Sequence, residues 1–204
     1  IEARGAPDGL LYESEDQAFL LDVGPEPLGV MWDQKEPEDA PHDALATLAG
    51  AVDGAPGRPS SADLLDRVDV ATLVNYYAVN ALIRNVDNLN HNIWLFHDPA
   101  TERWDVLHWD LDLTFGRPAE VETDLPLAAS IPHLAAAVAR DPRLTDMVMA
   151  RMRTIADAVL APTGLPAWLD ATLAETEPER ALDRDRWQMG GDPAAIEAQL
   201  RTWF

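Results

Sequence analysis

Residues 85–116 read Asn-Val-Asp-Asn-Leu-Asn-His-Asn-Ile-Trp-Leu-Phe-His-Asp-Pro-Ala-Thr-Glu-Arg-Trp-Asp-Val-Leu-His-Trp-Asp-Leu-Asp-Leu-Thr-Phe-Gly, and the reading of this stretch decides the fold. Two short apolar runs, Ile93 to Phe96 and Trp104 to Trp109, are rich in aromatic and β-branched side chains. Between them lies Asp98-Pro99-Ala100-Thr101-Glu102-Arg103. Asp-Pro opens turns, because the Asp side chain bonds to nearby backbone while Pro fixes φ. The pattern predicts an antiparallel hairpin over 92–109. Asp87 and Asn92 precede its first strand, and Asp110 and Asp112 follow its second, so two strand ends deliver carboxylates and an amide to one place.

On the N-terminal side of this stretch, Val70, Leu73, Val74, Tyr77, Ala78, Ala81 and Leu82 form a broad apolar stripe at helical spacing, with Asp69 as N-cap. This helix is expected to be central to the core. Asn75, Asn80 and Arg84 fall off or beside the stripe, where solvent contact or local hydrogen bonding is expected. The helix is predicted to end between Arg84 and Val86, since the following Asn and Asp residues compete for backbone hydrogen bonds. Leu45, Leu48, Ala49 and Val52 predict an earlier helix, and Ser61 is a candidate N-cap for a short one after it. Residues 1–41 hold much Gly, Pro and acid, and read as an irregular inter-lobe or linker region with one strand. Lys35, beside Glu36 and Glu38, reads as a solvated lysine in an acidic loop.

On the C-terminal side, Gly116 and Pro118 break the chain and 117–129 read as loop. Asp141-Pro142 starts a helix with Leu144, Val148, Met152, Ile155 and Val159 along one face. Thr163 is a candidate cap for a segment carrying Leu165, Trp168, Leu169 and Leu173, and Asp192-Pro193 starts a last helix with Ile196, Leu200 and Trp203. The Met and Trp residues of these helices are expected in the core rather than at a cofactor. The fold class is therefore α+β and mainly α-helical, with 42–204 a helical lobe that carries the hairpin.

Composition narrows the function. The formal net charge of −21 over 204 residues argues against nucleic acid, whose phosphates are repelled over about 8–10 Å. A charged partner should be basic, or a cation. Lys35 is the only lysine, so a mechanism needing an ammonium uses that residue or imports one. The absence of cysteine excludes disulfides, thiolate metal sites and thiol nucleophiles. No run of about 18 apolar residues suggests a transmembrane helix. The chain starts at Ile1 and stops at Trp203-Phe204 inside a predicted helix, so 1–204 is expected to be one partial domain of a longer protein.

Carboxylate and amide oxygens are hard donors suited to Mg²⁺ or Mn²⁺, and Mg²⁺ takes much of its shell from water and substrate phosphates. In protein kinases a catalytic-loop Asp accepts the substrate hydroxyl proton, an Asn a few residues later holds one metal, and an Asp beyond the next strand pair holds the metals bridging the phosphates. Asp87, Asn92 and Asp110 stand in that order. The same residue types also form ordinary turns and helix caps, so spacing alone leaves both readings open.

The segment Leu73 to Gly116 resembles the CotH kinase family of atypical bacterial protein kinases. The pieces that carry the resemblance are Asn-Tyr-Tyr-Ala-Val-Asn-Ala-Leu at 75–82, Asn-Val-Asp at 85–87, His-Asn-Ile-Trp-Leu-Phe-His-Asp-Pro at 91–99 and Trp-Asp-Leu-Asp-Leu-Thr-Phe-Gly at 109–116. Gly9-Leu10-Leu11-Tyr12-Glu13, Gln34-Lys35 and the final Leu200 to Phe204 are similar to outlying family landmarks. The resemblance implies a kinase-like C-lobe whose hairpin carries the metal motif, with ATP and Mg²⁺ or Mn²⁺ bound between two lobes and Ser/Thr hydroxyls of proteins phosphorylated. Carried over, it implies Asp87 as catalytic residue, Asn92 and Asp110 as cofactor-binding residues and metal ligands, and Asp112 as an additional acidic residue of the metal motif. His108 stands where the family often has Pro, a departure expected to alter strand-end rigidity rather than chemistry. No glycine-rich phosphate loop and no strand lysine in a Val-Ala-Ile-Lys-like context is found, so the N-lobe is expected to be largely missing and this piece inactive alone.

The implied partner is a protein substrate, basic and Ser-rich, and the implied address is a bacterial spore coat, cell envelope or secreted location. A non-catalytic coat or surface-binding protein of the same family is the alternative. A metal-dependent hydrolase finds no His cluster, since His91, His97 and His108 are scattered around the hairpin.

Overall fold

The computed structural model describes residues 8–14, 25–38, 41–53, 60–85, 92–112, 114–115, 133–159, 164–187, 195 and 198. The ribbon predicted over 92–109 forms, with β3 at Ile93–Asp98 and β4 at Arg103–His108. It belongs to a larger antiparallel sheet. β1 (Leu10–Ser14) pairs with β3, and β2 (Trp32–Glu36) pairs with β1, giving the order β2-β1-β3-β4. The expectation of an irregular 1–41 with one strand is corrected: this region supplies two strands and a helix, α1 (Pro25–Met31). Gly9 allows the close approach of β1 to β3, since a Cβ there would collide with the Phe96 ring.

Alternation explains which face of the sheet is inside. Directly paired residues share a face, and the register Tyr12↔Leu95, Leu95↔Val106, His97↔Trp104 and Ser14↔Trp32 puts Tyr12, Trp32, Leu95, Trp104 and Val106 together, all buried. Helices α2 (Asp43–Asp53), α3 (Ser60–Arg67) and α5 (His133–Arg140) pack against one another, and α3 and α4 (Val70–Ile83) pack against β4. The α+β expectation holds. Ser61 lies inside α3 rather than ahead of it, because the helix starts at Ser60.

β4 is an edge strand whose free backbone groups need partners, and the start of α4 provides them. Asp69 N–H donates to the Trp104 carbonyl at 2.8 Å, and Val106 N–H reaches Thr72 Oγ1 at 3.5 Å. Asp69 is the expected N-cap, with Oδ1 accepting from Thr72 N–H at 2.8 Å. Along α4 the buried residues are Leu73, Val74, Tyr76, Tyr77, Ala78, Asn80 and Ala81, so the stripe is shifted from the predicted one. Asn80 sits in the core at 1% exposure.

Lys35 is not in a loop. It lies on β2, and its ammonium is held by Glu13 of β1 at 2.6 Å and by Asp33 at 2.5 Å. These partners hold its pKa above the usual lysine range, the Asp33 hydrogen bond contributing most. On the inner face of the same strands, Tyr12 Oη, Trp32 Nε1 and both polar atoms of the Gln34 side chain are buried without a hydrogen-bond partner.

By internal contacts the chain divides into two units, Ile1–Arg151 and Met152–Phe204. Helix α6 (Pro142–Val159) opens as predicted at Asp141-Pro142, with Asp141 Oδ1 accepting from Arg143 N–H at 2.9 Å. Leu144 and Val148 are buried, whereas Met147 and Met149 are exposed. The second unit contains α7 (Leu165–Trp187), which has no buried residue; Trp168 and Trp187 are each 61% exposed. The expectation that these Met and Trp side chains lie in the core is corrected, since the sequence stripe does not say whether a neighbour covers it. The last helix expected from Asp192, and the cap at Thr163, fall outside the described residues apart from 195 and 198.

Two consequences can be measured. Asp69→Ala removes the cap of α4 and should lower unfolding stability by about 1 kcal/mol in denaturant titration. Burial pushes the Tyr12 hydroxyl up to about 12 and that of Tyr77 well above its usual value of 10.0. Their contribution to stability is present below the unfolded value and is lost as pH rises through the folded one. At about pH 11 the phenolate absorbance of these two residues should therefore emerge only when denaturant is added.

Candidate functional site

An antiparallel ribbon brings its first and last residues to the same end. The last pair at the open end of β3–β4 is Ile93↔His108. Asn92 immediately precedes that pair and Asp110 follows it by two residues. Both take the left-handed backbone conformation, with φ of 63° at Asn92 and 45° at Asp110. Asn and Asp tolerate that region better than other non-glycine residues, and it turns the chain out of the sheet at each strand end. β4 ends at His108, so Asp112 does not continue the strand and lies in the turn that follows. Asp110 and Asp112 are exposed, while Asn92 is half-buried and engaged.

The segment after Asp110 folds back. Thr114 Oγ1 donates to the Leu111 carbonyl at 2.9 Å, and Phe115 N–H donates to the Ile83 carbonyl at 2.6 Å. That carbonyl is available because α4 stops in a left-handed turn at Arg84, φ 48° and ψ 52°. Arg84 N–H bonds to the Ala81 carbonyl at 3.3 Å and Asn85 N–H to the Asn80 carbonyl at 3.0 Å, the pair of bonds that closes a Schellman motif. Asn85 Nδ2 also donates to Asn80 Oδ1 at 3.0 Å, with both residues buried. Sequence reasoning offered Asn80 solvent or a local hydrogen bond; it takes the second from inside the core. The signal that could have shown this is an Asn–Asn pair five apart across a helix end.

Two aromatic features surround the ribbon's open end. Trp94 and Trp109 stack at 4.5 Å between ring centres, inclined by 29°. His108 lies 4.8 Å from the Tyr76 ring, and its Nε2 is buried without a partner. Burial lowers the His108 pKa below 6.5, opposed by a hydrogen bond to the Tyr76 backbone. His108 is thus a neutral packing group between β4 and α4.

Of the predicted site residues, the structure brings Asn92 and Asp110 to one end of the ribbon and puts Asp112 in the turn that follows. Asp87 lies outside the described residues, two positions beyond Asn85. Among the described residues no group of three or more His, Cys, Asp or Glu side chains could hold a metal. Asn92 and Asp110 nonetheless suit a hard cation that draws most of its shell from water and phosphate, for which one or two protein carboxylates suffice. A cavity of about 440 Å³ lies elsewhere, toward the turn end of the ribbon, lined by Asp63, Asp66, Arg67, His97, Glu102 and Trp104 among others.

Fold and site together define an α+β protein whose central ribbon carries an acidic tip tied to the end of a buried helix. The chain belongs to the CotH kinase family: the family model described as CotH kinase protein matches residues 6–203. No curated protein matches it. Among the described residues, no helix is long and apolar enough to cross a membrane.

The His108 environment predicts a pH effect. Below its unfolded value the unfolded chain takes up a proton that buried His108 resists, so this group's contribution to stability shrinks as pH falls from about 6.5. The loss of stability between about pH 7 and pH 5 should be shallower in His108→Phe than in the native protein, measured by denaturant titration at each pH.

Proposed function

We propose that this chain is the catalytic lobe of a CotH-type protein kinase, which transfers the γ-phosphoryl group of ATP to Ser or Thr hydroxyls of a protein with Mg²⁺ or Mn²⁺ bound. Family membership supports the kinase class. The observation that carries the reading for this chain is the convergence of Asn92, Asp110 and the C-terminus of α4 at the open end of the ribbon.

In this reading Asp87 is the catalytic carboxylate. The acceptor hydroxyl oxygen bonds to the γ-phosphorus as the bond from that phosphorus to the β–γ bridging oxygen breaks. ADP leaves, and the hydroxyl proton passes to Asp87. Asn92 and Asp110 hold the metal, with Asp112 as a further carboxylate beside them. The bound metal supplies positive charge against the phosphate oxygens. Asn92 and Asp110 both have left-handed backbone at the strand ends, which turns each of them off the line of its strand. The net charge of −21 favours a basic protein substrate.

The test uses the full-length protein with ATP, Mn²⁺ and an Arg- and Ser-rich peptide. Native protein should label the peptide, and Asp87→Asn and Asp110→Asn should each lower labelling by about 10²-fold or more. Equal labelling by native protein and both variants would remove these carboxylates from the chemistry. A native protein that labels nothing would assign the chain to the non-catalytic coat or surface class.

A further inference from the structure

We infer that Asn80 is a positioning residue for the metal-binding segment, acting through the left-handed turn that ends α4. The inference rests on the phosphotransfer reading above and extends it to a residue outside the acidic motif.

Asn80 is the one amide among the buried residues of α4, at 1% exposure, and its partner Asn85 is 2% exposed. A buried amide on an apolar helix face costs desolvation unless it is bonded. Here the two residues are joined twice, backbone to backbone and side chain to side chain, each at 3.0 Å. The double link closes around Arg84, which holds a left-handed conformation that non-glycine residues resist. Helices that end in a left-handed residue usually place glycine there. Arg84 therefore depends on its surroundings to stay left-handed, and the Asn80–Asn85 side-chain bond is one constraint on it that a backbone motif alone lacks.

The turn matters because of what it presents. By curling the chain away after Ile83, it leaves the Ile83 carbonyl open to Phe115 N–H at 2.6 Å. Phe115 is itself left-handed, with φ 58°, and closes the segment that begins at Asp110. The chain of constraint runs from the Asn80 amide to Asn85, to the Arg84 turn, to the Ile83 carbonyl, to Phe115, and so to Asp110 and Asp112. Asn80 Nδ2 remains buried without an acceptor, so the amide is kept despite an unmade hydrogen bond. That cost is consistent with a role in geometry, since an apolar side chain there would carry no unmade hydrogen bond.

The test compares native full-length protein with Asn80→Leu and Asn80→Asp. Asn80→Leu keeps the branching of the side chain and removes the acceptor for Asn85 Nδ2, whereas Asn80→Asp keeps an oxygen there. Three readouts are taken: Mn²⁺ affinity by electron paramagnetic resonance, hydrogen exchange at the Asn85 and Phe115 amides, and kcat and KM for peptide labelling. For Asn80→Leu the expected result is faster exchange at both amides, Mn²⁺ affinity weakened by about 10-fold, and kcat lowered by about 10- to 100-fold with KM for the peptide unchanged. Asn80→Asp should recover most of the Mn²⁺ affinity and kcat. An Asn80→Leu protein that folds, exchanges and binds Mn²⁺ like native overturns the inference. Should Asn80→Leu fail to fold, native-like Mn²⁺ affinity in Asn85→Ala overturns it equally, and a tenfold loss there supports it. If native protein transfers phosphate while Asn80→Leu is equally fast, only this inference falls. If native protein neither binds Mn²⁺ nor transfers phosphate, the proposed function falls and takes the inference with it.

Discussion

A single carbonyl joins the two halves of the candidate site. Ile83 ends α4, and its oxygen would ordinarily accept from the next turn of helix. Arg84 goes left-handed, so the oxygen faces Phe115 N–H instead. A helix C-terminus leaves four carbonyls without intrahelical partners, and this protein uses one of them to dock the segment carrying Asp110 and Asp112. The same turn carries the chain out of α4 at Asn85. The bond from Phe115 N–H to the Ile83 carbonyl gives the acidic tip of the ribbon a tether to α4 besides its attachment to β4.

The sheet supplies the second constraint. β3 and β4 are adjacent in sequence and pair through a short turn, but β1 and β2 reach them from far away. Ser14 Oγ accepts from Ile93 N–H, a contact between residues 79 apart in sequence. These pairings widen the ribbon into a four-stranded platform, and α3 and α4 pack against its β4 strand. The start of α4 covers the free edge of β4, and its end grips the segment beyond β4. One helix thus registers both the body and the tip of the ribbon.

Local chemistry made much of this legible in the sequence. Asp98-Pro99 marked the turn, Asp69 and Asp141-Pro142 marked helix starts, and the cluster of Asn and Asp after Arg84 marked a helix end. Asn92 and Asp110 were legible as a pair because an antiparallel ribbon must bring its ends together. What stayed hidden depends on partners distant in sequence. Trp32-Asp33-Gln34-Lys35-Glu36 is too polar to read as a strand, yet it pairs with β1 and buries Trp32 and Gln34. Asn80 reads as either solvent-facing or locally bonded, because its bond to Asn85 forms only once α4 ends where it does. Trp168 and Trp187 looked like core because apolar spacing shows which residues share a face and not what lies against it.

Lys35 gives the sheet a point of chemical control. Glu13 and Asp33 are directly opposed on β1 and β2, an arrangement of like charges that weakens a strand pair. The Lys35 ammonium bridges them. Acylation of that amine would leave two carboxylates confronting each other along the outer edge of the platform, so a single covalent modification can loosen β2 from its neighbour.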